Sequence, residues 1–124
     1  RRSSDLKVIT VGCSDDDRVV NVMGSRMSDY SGRGPTRSCI CKPDIVAPGA
    51  AITSCDNQSG CYTVKSGTSM ATPYVSGAIA LLLEQNPEMS NRDVKLLLRE
   101  RAVDLGLPRN QQGWGLLDIP SLLK

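Results

Sequence analysis

The sequence predicts a layered α/β architecture, with short strands in the first half of the chain packed against helices in the second. Three observations carry this expectation. Short β-branched runs ended by Gly or Pro occupy residues 7–65, and the apolar spacing turns helical from residue 69 onward. At 124 residues, 40% of them hydrophobic, the chain is one ordinary domain or a large piece of one. A chain of this length buries about two-thirds of its unfolded surface, so its core needs no disulfides.

Residues 7–12, Lys-Val-Ile-Thr-Val-Gly, read as a buried strand of the parallel type. Residues 13–43 are polar and rich in turn formers: Asp15-Asp16-Asp17, Ser31-Gly32-Arg33-Gly34-Pro35 and Cys39-Ile40-Cys41 all fall here. They predict a surface loop with a brief strand over 18–22. Strand signals return over 44–47, halted by Pro48-Gly49, and again over 51–54 and 62–65.

From residue 69 to 85, Val75, Ala78, Ile79, Leu82 and Leu83 follow helical spacing, while Ala71, Ala80 and Leu81 fill the remaining faces. A helix apolar nearly all round is expected to be buried. Asn86-Pro87 ends it, because the residue before Pro avoids the helical region. Ser90-Asn91-Arg92-Asp93 predicts a new N-cap, and Val94, Leu97, Leu98, Ala102 and Leu105 form the stripe of an amphipathic surface helix that stops at Gly106. Gly113-Trp114-Gly115 reads as a tight turn, and residues 116–123 as a strand or a helix. A central helix this apolar asks for packing partners on several sides, more than 124 residues are expected to supply.

Lys+Arg 15 against Asp+Glu 13 leaves a net charge of +2, too balanced to point to nucleic acid or a membrane surface. No run of 18 apolar residues exists, and residues 1–5 lack the apolar stretch of a signal peptide. Without an initiator Met, the chain reads as an internal piece of a longer one. The absence of His excludes any imidazole base supplied by this chain, and any zinc site with His ligands.

The chemistry is concentrated in Ser66-Gly67-Thr68-Ser69-Met70-Ala71-Thr72-Pro73, where a strand gives way to a helix. The first N–H groups of a helix lack intrahelical acceptors and carry the positive end of the macrodipole. An oxyanion forming beside Ser69 is stabilised there, which is the electrostatic part of acyl transfer. Gly67 permits close backbone approach, and Pro73 removes the N–H that would bond back toward Ser69. The plainer reading of a Ser or Thr at a helix start is a cap.

The run Gly67-Thr68-Ser69-Met70-Ala71-Thr72-Pro73, followed by Val75-Ser76-Gly77, resembles the nucleophile signature of the subtilisin-like serine proteases (subtilases, peptidase S8). The resemblance extends along nearly the whole chain. Val8-Ile9-Thr10-Val11-Gly12 resembles a family strand, and Tyr30-Ser31-Gly32-Arg33-Gly34-Pro35 the turn that follows it. Lys42-Pro43-Asp44-Ile45-Val46-Ala47-Pro48-Gly49, Asn86-Pro87 and Gly113-Trp114-Gly115-Leu116-Leu117-Asp118 come next in the family's order. It implies that residues 1–124 are the C-terminal portion of one peptidase domain, about half of it, within a three-layer fold of mostly parallel sheet.

By the same resemblance Ser69 is the catalytic nucleophile of an endopeptidase that cuts protein or peptide substrates through an acyl-enzyme. Its own N–H enters the oxyanion hole, Thr68 lies beside the developing charge, Gly67 shapes the turn and Met70 flanks the leaving group. Family members usually carry His where Tyr74 stands, a position outside the catalytic trio. The catalytic Asp and His precede the nucleophile in this family, and neither they nor the oxyanion Asn lies between residue 1 and Ser69. The chain alone is therefore expected to be inactive, with the upstream part of the domain as its partner, no cofactor, and a secreted or cell-surface location implied by the family. The alternative is a pseudoprotease or peptide-binding module that keeps the fold without turnover.

Two other hydrolase patterns fit less well. The α/β-hydrolase elbow wants Gly where Ala71 stands, and an Asp and a His after the Ser. Lys65-Ser66-Gly67 with Ser4 to Lys7 mimics penicillin-binding enzymes, yet their middle motif is missing. Five Cys cannot all pair within one chain: Cys55 and Cys61 flank a turn-like segment and admit a small loop, while packed, reduced thiols are the plainer expectation. Asp15-Asp16-Asp17 admits calcium, which subtilases often bind for stability, or a solvated acidic loop; no metal ligands are assigned.

Overall fold

The computed structural model describes residues 8–15, 26–27, 41–58 and 60–124. Its order is β1 (Val11–Asp15), β2 (Arg26–Met27), β3 (Ile45–Pro48), β4 (Ile52–Cys55), β5 (Tyr62–Lys65), α1 (Thr68–Gln85), α2 (Asn91–Arg101), α3 (Arg109–Gln112) and α4 (Ile119–Leu122). The strand expected over 18–22, the turn over 31–35 and Cys39 lie outside the described residues.

β1 and β3 pair in parallel, Val11 with Ile45 through Ser14 with Pro48, and the short β2 joins β1 antiparallel in the order β2-β1-β3. Beyond β3, Leu116 extends the parallel edge: Val46 donates to Gly115 O at 2.9 Å and accepts from Leu117 N at 2.8 Å. The α1 helix packs across β1 and β3. Cys13, Ile45 and Ala47 from the sheet meet Ala71, Val75, Ala78 and Leu82 of α1, with Val94 and Leu98 of α2, Leu117 and Leu122 closing the cluster. Full burial of side chains such as Leu82 or Leu98, each 1% exposed, contributes about 1.5–3 kcal/mol apiece.

The first strand starts four residues later than the β-branched run suggests. Ahead of the strand, backbone and side chains share the hold: Thr10 O accepts from Asp44 N at 2.9 Å, Thr10 N donates to Asp44 Oδ2 at 2.9 Å, and Lys42 Nζ donates to Val8 O at 3.1 Å. Lys42 and Asp44 also form a buried ion pair at 2.6 Å. Strands β3, β4 and β5 fall within a residue of expectation.

The helix from residue 69 to 85 forms as expected, beginning at Thr68, but it is buried on one face only. Ala71, Val75, Ala78 and Leu82 are covered, whereas Ala80, Leu81 and Tyr74 are exposed, Leu81 by 46% and Tyr74 by 41%. Burial is set by what the sheet can cover, and a β-sheet covers one stripe of a helix.

Asn86 caps α1 ahead of Pro87, and Ser90 caps α2 through a capping box in which the Ser90 hydroxyl accepts from Asp93 N while Asp93 accepts from Ser90 N. The α2 helix ends at Arg101, five residues before Gly106, because Val103 N and O both pair with Leu116, at 2.9 and 2.8 Å. Residues 116–123 hold both of the expected forms in turn, a β-bridge at Leu116 and then α4. The turn at Gly113 admits no other residue: its φ is 61°, and a Cβ there would sit 2.2 Å from Pro43 O.

The cysteine alternatives resolve through strand register. Cys55 faces Tyr62, and the next pair outward is Asp56 with Cys61, joined by Asp56 N to Cys61 O at 3.0 Å. Successive residues point to opposite faces of a strand, so the two thiols stand on opposite sides of the hairpin. Cys13, Cys41, Cys55 and Cys61 are all unbridged.

Candidate active site

The β4–β5 hairpin carries the chain from the sheet to the start of α1. Its ladder runs from Cys55 with Tyr62 to Ile52 with Lys65. Immediately beyond, Ala51 N donates to the Ser66 hydroxyl at 2.7 Å, and Gly67 N donates to Gly49 O at 2.8 Å. Gly67 then takes φ 152° and ψ 166°, a region open essentially to Gly alone, and becomes the N-cap residue of α1.

Gly67 O accepts from Met70 N at 2.9 Å and from Ala71 N at 3.3 Å. Thr68 and Ser69 are the first two helical residues, and their N–H groups find no acceptor among the described residues. No side chain caps the helix, so neither hydroxyl spends itself on the role that Ser and Thr usually take at this position. Ser69 is exposed, and its Oγ makes no hydrogen bond among the described residues; Gly67, Thr68 and Met70 are half-buried beside it. Thr72 Oγ donates to Thr68 O at 2.9 Å, serving a carbonyl of the first turn. Pro73 stands inside the helix, so Ser69 O has no N–H four residues on.

This arrangement places an exposed hydroxyl beside two open amides at the positive end of an 18-residue helix. Chemically, it can hold negative charge next to a nucleophilic oxygen. This chain supplies no imidazole base to it, because it has no His. A cleft of ≈ 260 Å³ at the tip of the β4–β5 hairpin is lined by Cys55, Asp56, Asn57, Gln58, Gly60 and their neighbours, and includes none of residues 67–70.

Of the acidic run Asp15-Asp16-Asp17, read as a calcium ligand set or a solvated loop, only the backbone of Asp15 falls within the described residues. Among the described residues no three His, Cys, Asp or Glu side chains gather as a metal site, and no helix is long and apolar enough to cross a membrane. Sequence reasoning assigned no role to Gly49, Ala51 or Ser66, the residues that seat the turn. The small-residue run Gly49-Ala50-Ala51 after a strand-ending Pro48 was the available signal.

The profile of the subtilase family matches residues 3–115. The chain belongs to the subtilase family. Serine protease AprX of Bacillus subtilis is 40% identical over 106 residues, covering 75% of this chain and 24% of that protein. Minor extracellular protease Vpr of the same organism is 35% identical over 119 residues, covering 86% of this chain and 15% of its own length. The CspB protease of Clostridium perfringens superposes with a TM-score of 0.79 at 34% identity, covering 98% of this chain and 27% of that one. This subtilase chain thus spans about a quarter, or less, of the relatives it matches. The mixed α/β arrangement, with a helix that begins at Thr68, is the partial subtilisin-like fold expected from the sequence.

Proposed function

We propose that residues 1–124 form the C-terminal portion of a subtilisin-like peptidase domain in which Ser69 is the nucleophile of a serine endopeptidase. The observation that carries this reading is the exposed, uncapped Ser69 with the open N–H groups of Thr68 and Ser69 beside it. In the reaction, Ser69 Oγ bonds to the carbonyl carbon of a peptide substrate as its proton passes to a base. The carbonyl oxygen becomes an oxyanion facing the Ser69 amide, with Thr68 adjacent. The base returns that proton to the nitrogen, so collapse expels the amine on the Met70 side and leaves an ester on Ser69, which water hydrolyses to release the acid and restore the hydroxyl.

The base must come from outside residues 1–124, since the chain carries no His. In subtilases the His, the Asp that orients it and the oxyanion Asn precede the nucleophile. The exposed face of α1, with Tyr74 and Leu81, supports the same assignment, because an apolar helix face on an isolated part is what the rest of a domain covers. Protein or peptide substrates follow from the family. Vpr is described as extracellular, which favours a secreted or cell-surface location for this protein.

The test is labelling of the full-length protein with a fluorophosphonate, which reacts only with an activated serine. Modification of the peptide containing Ser69, abolished by Ser69→Ala and absent from residues 1–124 alone, is the expected result. Failure of the full-length protein to react would replace the protease by a peptide-binding pseudoprotease.

A further inference from the structure

We infer that Ser66 is a positioning residue for Ser69, acting through the turn formed by Gly49, Ala50 and Ala51; this rests on the proposed role of Ser69. In the β4–β5 register each residue of one strand faces a residue of the other, and Ala51 and Ser66 are the pair that follows Ile52 and Lys65. At that pair the ladder cannot continue as backbone, because the chain leaves β5 to enter α1. The Ser66 hydroxyl takes the place of the departing carbonyl and accepts from Ala51 N at 2.7 Å. One residue later Gly67 N donates to Gly49 O at 2.8 Å. Two consecutive residues of the strand-to-helix connection are therefore tied to one turn.

Two features make that turn a firm seat. Ala51 has φ 51°, a left-handed conformation costly for a residue with a Cβ, and strain of this kind persists only where the surroundings hold it. Gly49 is buried, and a Cβ on it would lie 2.5 Å from Cys13 Sγ, 2.7 Å from Gly67 O and 3.1 Å from Ala71 Cβ. Gly49 thus presses directly between the buried end of β1 and the first turn of α1. Gly67 O, in contact with this seat, is the acceptor for Met70 N and Ala71 N, so the placement of Gly67 sets the placement of Ser69. Without a side-chain cap on α1, Ser66 is the side chain that fixes where the helix begins.

The experiment compares Ser66→Ala and Ser66→Thr with wild type in the full-length protein, with kcat and KM normalised to fluorophosphonate-titrated sites and amide exchange read in parallel. Ser66→Ala is expected to lower kcat about tenfold with KM within about twofold, because a small displacement of the attacking oxygen costs rate and not affinity. Ser66→Thr, which keeps the hydroxyl, is expected to restore most of that loss. Exchange at Ala51 and Gly67 is expected to speed up about tenfold in Ser66→Ala, the loss of one hydrogen bond. An unchanged kcat, a change in KM alone, or a Thr variant no better than Ala overturns the inference. A wild-type protein that does not label overturns the protease reading instead, and exchange then decides the clamp: unchanged exchange at Ala51 and Gly67 overturns it whatever the activity.

Discussion

Lys42→Met is expected to destabilise the folded protein by about 3 kcal/mol, the low end of the roughly 3–5 kcal/mol cost of removing one partner from a buried ion pair. Lys42 and Asp44 are 6% and 10% exposed at their side chains and 2.6 Å apart. Without the ammonium, the Asp44 carboxylate keeps, among the described residues, the Thr10 N–H at 2.9 Å and the more distant Lys95 at 3.9 Å. Those two groups place the cost at the lower end. Asp44→Leu is expected to cost about the same, because it removes the carboxylate 2.6 Å from the buried Lys42 ammonium. The double variant Lys42→Met/Asp44→Leu removes both charges of the pair and forfeits the bonds to Val8 O and Thr10 N. It should cost about 3 kcal/mol as well, not the sum of about 6, a coupling of about 3 kcal/mol. The assay is the urea midpoint of the four proteins at neutral pH, repeated at high salt, which should leave the coupling intact because buried pairs are weakly screened. A single-variant cost below about 1 kcal/mol, or strict additivity, would refute the buried-pair account.

Among the described residues the buried Ser14 hydroxyl has no hydrogen-bond partner, so Ser14→Ala should raise stability by about 1–2 kcal/mol; a lower unfolding midpoint would mean that the hydroxyl is satisfied in solution. Asp93 titrates below its ordinary value of 3.8 because the Ser90 hydroxyl, and then the Ser90 N–H, hydrogen-bond its carboxylate. Its stabilising contribution is therefore present above the unfolded value and lost as pH falls through the lower folded one. Wild type should exceed Asp93→Asn in thermal midpoint at about pH 6, with the gap closing toward about pH 2, and a gap independent of pH would falsify the cap assignment. On the proposed function, mild peroxide should lower activity of the full-length protein by placing a sulfoxide at Met70; full activity with Met70 oxidised, checked by mass, rejects its place beside the leaving group.

Local chemistry determined the elements that depend on neighbours in sequence. Pro87 stops α1, Ser90 and Asp93 cap α2, and residues 67–73 announce a strand-to-helix turn, because each of these effects acts within four residues. The motif order also identified the family, since it is carried by residue types alone. What tertiary structure decided lies at longer range. The start of β1 depends on Asp44 and Lys42, more than thirty positions away, and the end of α2 on Val103 pairing with Leu116. The exposure of Leu81 follows from which face of α1 the sheet covers, a choice that apolar composition does not encode. The seat of Ser69 likewise joins Gly49 to Gly67 and Ala51 to Ser66 across fifteen residues or more, and only the folded register brings those groups within hydrogen-bond distance.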